Sequence, residues 1–140
     1  MEIFHTGLAV KKILTSMAGL SQHLKNNSFP LVAPVGTEFP FITYRRVSGR
    51  VTNTQKDYSD ETATVELNLY CDNYSESVQT IHSIANAFLI LWKNYVPAQQ
   101  DPYQMREIMQ AIDDIDITQS TEEYYSDTYK QTIYLEFTFK

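Results

Sequence analysis

Two segments of the chain alternate apolar and polar residues so regularly that each predicts a β-strand with one buried face. In the first segment, residues 61–71, one side carries Ala63, Val65, Leu67, Leu69 and Cys71. The other side carries Thr62, Thr64, Glu66, Asn68 and Tyr70. Because the side chains of a strand point alternately to the two faces of its sheet, one face belongs to the core. The second face, which still holds β-favouring Thr and Tyr, meets either solvent or another subunit.

The second alternating segment runs to the last residue. Tyr129, Gln131, Ile133, Leu135, Phe137 and Phe139, which are apolar apart from Gln131, alternate there with Lys130, Thr132, Tyr134, Glu136, Thr138 and Lys140. A further β-rich segment extends from Phe41 to about Thr54, and the polar residues 55–60 separate it from the strand at 61–71. We expect these two strands to pair as a long hairpin. Residues 103–119 fit two patterns: Met105, Ile108, Met109 and Ile112 have helical spacing, whereas Met109, Ala111, Asp113, Ile115 and Ile117 alternate. We favour a strand for the second half.

Two amphipathic helices are predicted between these strands and before them. The first covers residues 6–25, with a cap at Thr6 and the apolar positions Leu8, Ile13, Leu14, Met17, Leu20 and Leu24. The second begins near Asn73 or Ser75, either of which can cap it, and runs to about Tyr95 before Pro97. Its apolar positions are Val78, Ile81, Ala85, Phe88 and Trp92. The proline-rich residues 28–40 predict a loop with room for one short strand.

The order of elements is therefore helix, hairpin, helix, hairpin. We expect an α+β fold in which an antiparallel sheet of two hairpins carries two helices on one face. A chain of 140 residues has the usual size of one domain, so residues 1–140 are predicted to form a single domain. The first residues lack the pattern of a secretory signal, and the apolar run at 87–92 is too short to span a bilayer. We expect a soluble protein without membrane contact.

The usual motifs of several enzyme classes are absent from this sequence. The four glycines, at positions 7, 19, 36 and 49, form neither GxGxxG nor GxxxxGK[ST], and GxSxG does not occur. Cys71 is the only cysteine and His5, His23 and His82 stand far apart, so we predict no catalytic residue, cofactor or metal. Cys71 is expected to be a small buried residue rather than a nucleophile. A small enzyme with a site on Asp113, Asp114, Asp116 and a histidine stays open as a minor alternative.

The charge is distributed unevenly along the chain. Residues 1–50 carry a net charge of +4 and residues 51–140 a net charge of −10. An acidic chain gains little from phosphate contacts, so specific nucleic-acid binding is not expected. Arg45 and Arg46 should point to opposite faces of their strand. We predict that Arg45, Arg46 and Arg50 pair with acidic residues within the chain or across a subunit interface, and the candidate acidic partners are Glu122, Glu123 and Asp127.

The stretch between the last two strands, which holds Glu122, Glu123, Asp127 and interleaved tyrosines, has two readings. It is either an exposed hairpin tip or a surface that docks another protein, because tyrosine gives contact area at low entropy cost.

Residues 32–44, VAPVGTEFPFITY, precede a long polar hairpin and then residues 65–77, VELNLYCDNYSES. In this order, the sequence resembles the tail-completion, or head-tail joining, proteins of long-tailed bacteriophages and prophages. Residues 96–127 match least. The resemblance implies a non-enzymatic virion protein, assembled in the bacterial cytoplasm, that forms a homo-oligomeric and commonly hexameric ring at the head-proximal end of the tail. It implies tail-tube and head-connector proteins as partners, and DNA that passes without specific binding. An alternative is a small module that binds a protein or peptide on an exposed sheet face.

Overall fold

The described residues form one five-stranded sheet and four α-helices. The computed structural model describes residues 2–16, 19–53, 59–96 and 100–140. The helices are α1 (Thr6–Ser16), α2 (Gln22–Asn26), α3 (Tyr74–Leu89) and α4 (Tyr103–Ala111). The strands are β1 (Ser28–Pro30), β2 (Phe41–Asn53), β3 (Ser59–Cys71), β4 (Ile112–Tyr125) and β5 (Thr128–Phe139). Short 3-10 turns cover Glu2–His5 and Leu91–Asn94.

The strands lie in the order β1-β2-β3-β5-β4. Both predicted hairpins form, since β2 pairs antiparallel with β3 and β4 pairs antiparallel with β5. The α+β class is confirmed, but the prediction of a wholly antiparallel sheet is wrong, because β1 lies parallel to β2. The backbone carbonyl of Asn27 accepts a hydrogen bond from Ile42 N at 2.9 Å, which aligns the two strands. β1 ends after three residues at Pro30, and Leu31 then takes a φ of 68°.

The predicted core face is confirmed. Ala63, Val65, Leu67, Leu69 and Cys71 are at most 1% exposed, and the matching positions of β5 from Ile133 to Phe139 are buried beside them. Helices α1 and α3 complete this core, where Phe88 meets Phe137 edge-on with ring centroids 6.4 Å apart. We call the opposite side, with Thr62, Thr64, Glu66, Asn68 and Tyr70, the polar face. Part of this face is buried within the chain itself: Asn68 is only 6% exposed, and it hydrogen-bonds to Thr43 and Thr132.

The helices differ from the prediction at their ends. The first predicted helix is two: Gly19 takes a φ of 93° and the Ser21 side chain accepts a hydrogen bond from Leu24 N, which starts α2. Met17 lies outside the described residues. In α3 the Asn73 side chain caps Glu76 N at 3.0 Å, so Asn73 rather than Ser75 is the cap. The helix ends at Leu89 and continues only as a 3-10 turn.

Two other predictions fall partly or wholly outside the described residues. Pro97, expected to follow the second helix, and most of the hairpin turn at residues 55–60 are among them. The ambiguous segment 103–119 resolves into both patterns, helix α4 up to Ala111 and strand β4 from Ile112, as favoured for its second half. The extra helix α4 was not part of the predicted order. In the described part of the chain no helix is both long and apolar enough to cross a bilayer.

Candidate interaction surface

A row of aromatic side chains crosses one end of the polar face. Phe41 stands opposite Tyr70 in the β2–β3 register, and their rings stack with centroids 4.8 Å apart and an angle of 18° between planes. Phe39, just before β2, stacks on Phe41 at 5.6 Å. Lys130 is opposite Tyr70 on β5, and its Nζ lies 5.8 Å from the centre of the Tyr70 ring. We call Phe39, Phe41 and Tyr70 the aromatic row.

The β4–β5 hairpin tip stands beside this row. Ser126 and Asp127 both have positive φ, 51° and 59°, the backbone of a tight two-residue hairpin turn. The Tyr124 hydroxyl donates to Asp127 Oδ1 at 2.8 Å, and this bond raises the pKa of Tyr124. Tyr125 is 80% exposed. The turn geometry therefore places one tyrosine against the tip and leaves the next free for contact.

On the helix side of the tip, a second cluster ties the hairpin to the start of α3. The Tyr74 hydroxyl lies 3.2 Å from both carboxylate oxygens of Glu122, and this hydrogen bond raises the pKa of Tyr74. Gln131 Nε2 donates to Glu122 at 2.9 Å. Tyr129 lies between Tyr74 and Tyr124, with ring centroids 5.6 and 4.8 Å away. The position of Glu122 is thus fixed from two elements.

The aromatic row and the tip enclose a groove of about 340 Å³, lined also by Tyr125, Thr128 and Lys130. A second, shallower groove shares the aromatic row and reaches along the loop from Leu31 to Thr37. In that loop Leu31 is 72% exposed, Val32 is 75% exposed and Val35 is fully exposed. We call Leu31, Val32, Val35, Phe39 and Tyr125 the apolar end. Exposed apolar residues gathered in one place, rather than scattered, indicate a surface for binding another molecule.

The three arginines predicted to form ion pairs all lie on β2, but each has different neighbouring residues. Arg45 and Arg46 take opposite faces, as alternation predicted: Arg45 stands opposite Glu66 and Arg46 opposite Val65. Arg46 Nη1 donates to the carbonyl of Ile3 at 2.9 Å, and its guanidinium lies 5.0 Å from the centre of the Phe4 ring. Arg50 is exposed.

Arg45 forms an ion pair within the chain, since its Nη2 lies 3.1 Å from Glu66 Oε2 on the polar face. Burial of Glu66 opposes its ionisation, but hydrogen bonds from Asn68 and Arg45 and the positive charges of Arg45 and Lys130 outweigh this. Together they hold the pKa of Glu66 below its ordinary value.

The structure does not bring the arginines to the predicted acidic residues of the tip. Strands β3 and β5 lie between β2 and β4, so the backbones of β2 and β4 are about 14 Å apart, and the arginines also lie further along the strands than the tip. Glu122 accepts a hydrogen bond from Tyr74, and Asp127 accepts one from Tyr124 at the turn. Glu123 lies opposite Lys130 in the β4–β5 register. Contact between the two groups therefore needs a second copy of the chain.

The remaining candidate catalytic or metal-binding residues are the aspartates of β4 and Cys71. Asp114 and Asp116 stand opposite Thr138 and Glu136, whereas Asp113 lies in an irregularity of the β4–β5 register. Within residues 2–16, 19–53, 59–96 and 100–140, no group of three or more His, Cys, Asp or Glu side chains is placed to hold a metal ion. Cys71 is fully buried as predicted, and burial together with the nearby Glu76 and Asp72 raises its pKa to about 12.

The aromatic row was missed at the sequence level. Its signal is the Phe39-Pro40-Phe41 triplet and the final polar-face position, Tyr70, but only the strand register shows that these rings meet.

Comparison with known proteins gives a likeness of fold. The sequence matches no protein-family model and no curated protein. The structure is similar to a chain in the solved structure described as the virion of a native gene transfer agent particle, with a TM-score of 0.65. The similarity covers 93% of this chain and 90% of that chain, at 9% sequence identity. At this identity the likeness establishes a shared fold.

Proposed function

We propose that the chain is a non-catalytic structural subunit of a phage or prophage virion. In this proposal, copies of the chain form a ring, commonly of six, at the head-proximal end of the tail. The ring ends the tail and joins it to the head through contacts with tail-tube and head-connector proteins. The observation that carries the proposal is the apolar end, an exposed apolar surface on a fold that a virion protein shares over nearly its whole length.

The sequence resemblance and the fold likeness both support this proposal. The resembling stretch, residues 32–44, contributes Val32, Val35 and Phe39 to the apolar end, so the same residues carry the resemblance and the surface. The structural neighbour belongs to a virion, and the match leaves only a small part of either chain unaligned. A chain of net charge −6 is also suited to let DNA pass without holding it, because phosphates are repelled.

The apolar end can be tested with a double variant, Val32→Ser/Val35→Ser. Both valines are exposed, so the fold should persist while the binding surface loses apolar area. The matched control is Val96→Ser, which changes a valine that is 80% exposed but not part of the apolar end. Electron microscopy of purified protein should show rings for the wild type and the control. The double variant should fail to bind tail tubes or to restore head-to-tail joining in a phage lacking the subunit.

Joining that proceeds normally with the double variant would remove the apolar end from the proposal. Wild-type protein that forms no ring, alone or with tail tubes, would overturn the ring itself.

A module that binds a peptide or protein on the polar face is the second candidate. The groove of about 340 Å³ between the aromatic row and the tip favours it, because grooves of this kind accept side chains of an extended ligand. Sedimentation velocity over a wide range of concentration separates the two candidates. A chain that stays a monomer or dimer at all concentrations, and that binds extended peptides on this groove, would favour the module.

A further inference from the structure

The sheet has two open edges. Strand β4 ends the strand order, so one side of its 14 residues has no neighbouring strand among the residues that the structure describes. At the other end, β1 covers β2 only from Ile42 to Tyr44, which leaves residues 45–53 of β2 beyond it. Open edges present unpaired backbone groups that can pair with another chain. We call residues 45–53 the β2 edge and residues 112–125 the β4 edge.

The two edges carry opposite charges. The β2 edge holds Arg45, Arg46 and Arg50 and no acidic residue. The β4 edge holds five acidic residues and no basic one: Asp113, Asp114, Asp116, Glu122 and Glu123. Arg45, Arg46 and Arg50 are exposed, as are all of these acidic residues except Asp114, which is half-buried. Charged edges keep strands of like charge apart, but here each edge of the chain is complementary to the other.

The strand directions favour the same contact. Three antiparallel steps lead from β2 through β3 and β5 to β4, so β2 and β4 run in opposite directions within one chain. A rotation that continues the sheet into a second copy then sets β2 antiparallel to the neighbour's β4. Antiparallel pairing is slightly the more stable kind. It also puts Arg45 and Arg50 on the same continued face as Asp114 and Asp116.

We propose that the β2 edge of one copy docks against the β4 edge of a second copy of this chain. Like charges oppose β2–β2 and β4–β4 contacts, so the charges select a head-to-tail contact over a two-fold dimer. Head-to-tail contacts between different surfaces of identical subunits generate rings when the rotation closes. This inference rests on the proposed ring and names the surfaces that build it.

Charge reversal of each edge tests the contact. Variant X is Arg45→Glu/Arg50→Glu, and variant Y is Asp114→Lys/Asp116→Lys. X has two acidic edges and Y has two basic edges on the polar face, so each alone should self-associate at least about tenfold more weakly than the wild type. An equimolar mixture should recover assembly, because X and Y can alternate around a ring with an even number of subunits. Sedimentation velocity measures the association, and native mass spectrometry should find equal numbers of X and Y.

Two further variants control for effects other than loss of the edge contact. Arg45→Glu also removes the ion pair with Glu66, so Ser48→Glu/Arg50→Glu, which keeps that pair, should weaken assembly in the same direction. Lys25→Glu/Lys93→Glu changes the net charge as much as X does but lies off both edges, and it should assemble like the wild type.

The outcomes separate the inference from the function on which it rests. Rings that persist in X and Y, or a mixture that does not recover what each variant lost, would overturn the edge contact while the ring stands. A wild type that remains monomeric in every condition would overturn both.

Discussion

Cys71 is the last buried residue of β3 and the only thiol of the chain. Its pKa of about 12 follows from burial and from the negative charges of Glu76 and Asp72. At pH 8 only about one thiol in ten thousand would be ionised, and the thiolate is the reactive form. We expect no reaction with a thiol reagent in the native protein at pH 8 and full reaction in guanidinium. A Cys71→Ala variant gives the background, and rapid labelling of native protein would contradict the buried position.

Glu66 lies near the middle of the polar face, where it accepts hydrogen bonds from Arg45 on the next strand and from Asn68 on its own strand. Its folded-state pKa lies below the ordinary value of 4.5, so its stabilisation is fully present above pH 4.5 and is lost as the pH falls towards the folded pKa. We expect Glu66→Gln to lower the free energy of unfolding by up to about 1 kcal/mol at pH 7, the range of exposed ion pairs.

Urea unfolding at several pH values checks this expectation. The difference between wild type and Glu66→Gln should shrink below pH 4.5, whereas Glu107→Gln, on the exposed side of α4, should change the free energy of unfolding little at pH 7. A difference for Glu66→Gln that stays constant down to pH 3 would mean that the carboxylate charge contributes nothing.

At the scale of elements, the start of α4 is tied to α1 by Asp101. Lys12 Nζ lies 2.6 Å from Asp101 Oδ1, and the Tyr95 hydroxyl donates to Asp101 Oδ2. Asp101 is only 9% exposed, and burial together with the bond to Asp101 raises the pKa of Tyr95 to about 12. We expect Asp101→Asn to lower the free energy of unfolding by about 1–3 kcal/mol, since Lys12 then loses its negatively charged partner in a partly buried place.

A double-mutant cycle with Lys12→Met isolates that contact. If the pair acts as described, the loss in the double variant should be clearly smaller than the two single losses added together. Simple additivity of the two losses would show that the ion pair itself is not what stabilises the junction of α1 and α4.

Sequence predicted the elements best where one periodic pattern stood alone. The alternation in β3 and β5 fixed both the strands and their buried side. Residues 103–119 were ambiguous because Met109 belongs to both a helical and an alternating series, and the change from α4 to β4 comes two residues later. β1 was beyond precise prediction, since three residues have no period and their parallel pairing depends on Asn27 meeting Ile42.

The candidate surface was predictable in its residues but not in its contacts. The alternation of side chains along a strand was enough to predict that Arg45 and Arg46 lie on opposite faces of the sheet. It could not show that Arg46 meets Phe4, or that Phe39, Phe41 and Tyr70 form a row, because both depend on which positions the tertiary structure brings together. The charge asymmetry of the two halves was visible at once, yet its division between opposite edges of one sheet follows only from the strand order.

At the scale of the whole molecule, the apolar end and the charged edges are two surfaces with different physics. The distance over which exposed charges act shrinks from about 10 Å at 0.1 M salt to about 3 Å at 1 M. Burial of apolar surface is instead strengthened by salts such as sulfate, which are excluded from protein surfaces. Copies joined through the β2 and β4 edges and partners bound at the apolar end should therefore respond to salt in opposite ways.

We expect self-association of the wild type, followed by sedimentation velocity, to weaken as sodium chloride rises from 0.05 to 0.5 M. Binding to tail tubes through the apolar end should survive that change and strengthen in sodium sulfate. The Val32→Ser/Val35→Ser variant should keep the salt-sensitive self-association and lose the sulfate-strengthened binding, whereas variant X should do the reverse. If both activities follow the same salt dependence, or if one variant abolishes both, the two surfaces are not separate, and the ring and its attachment must share a single interface.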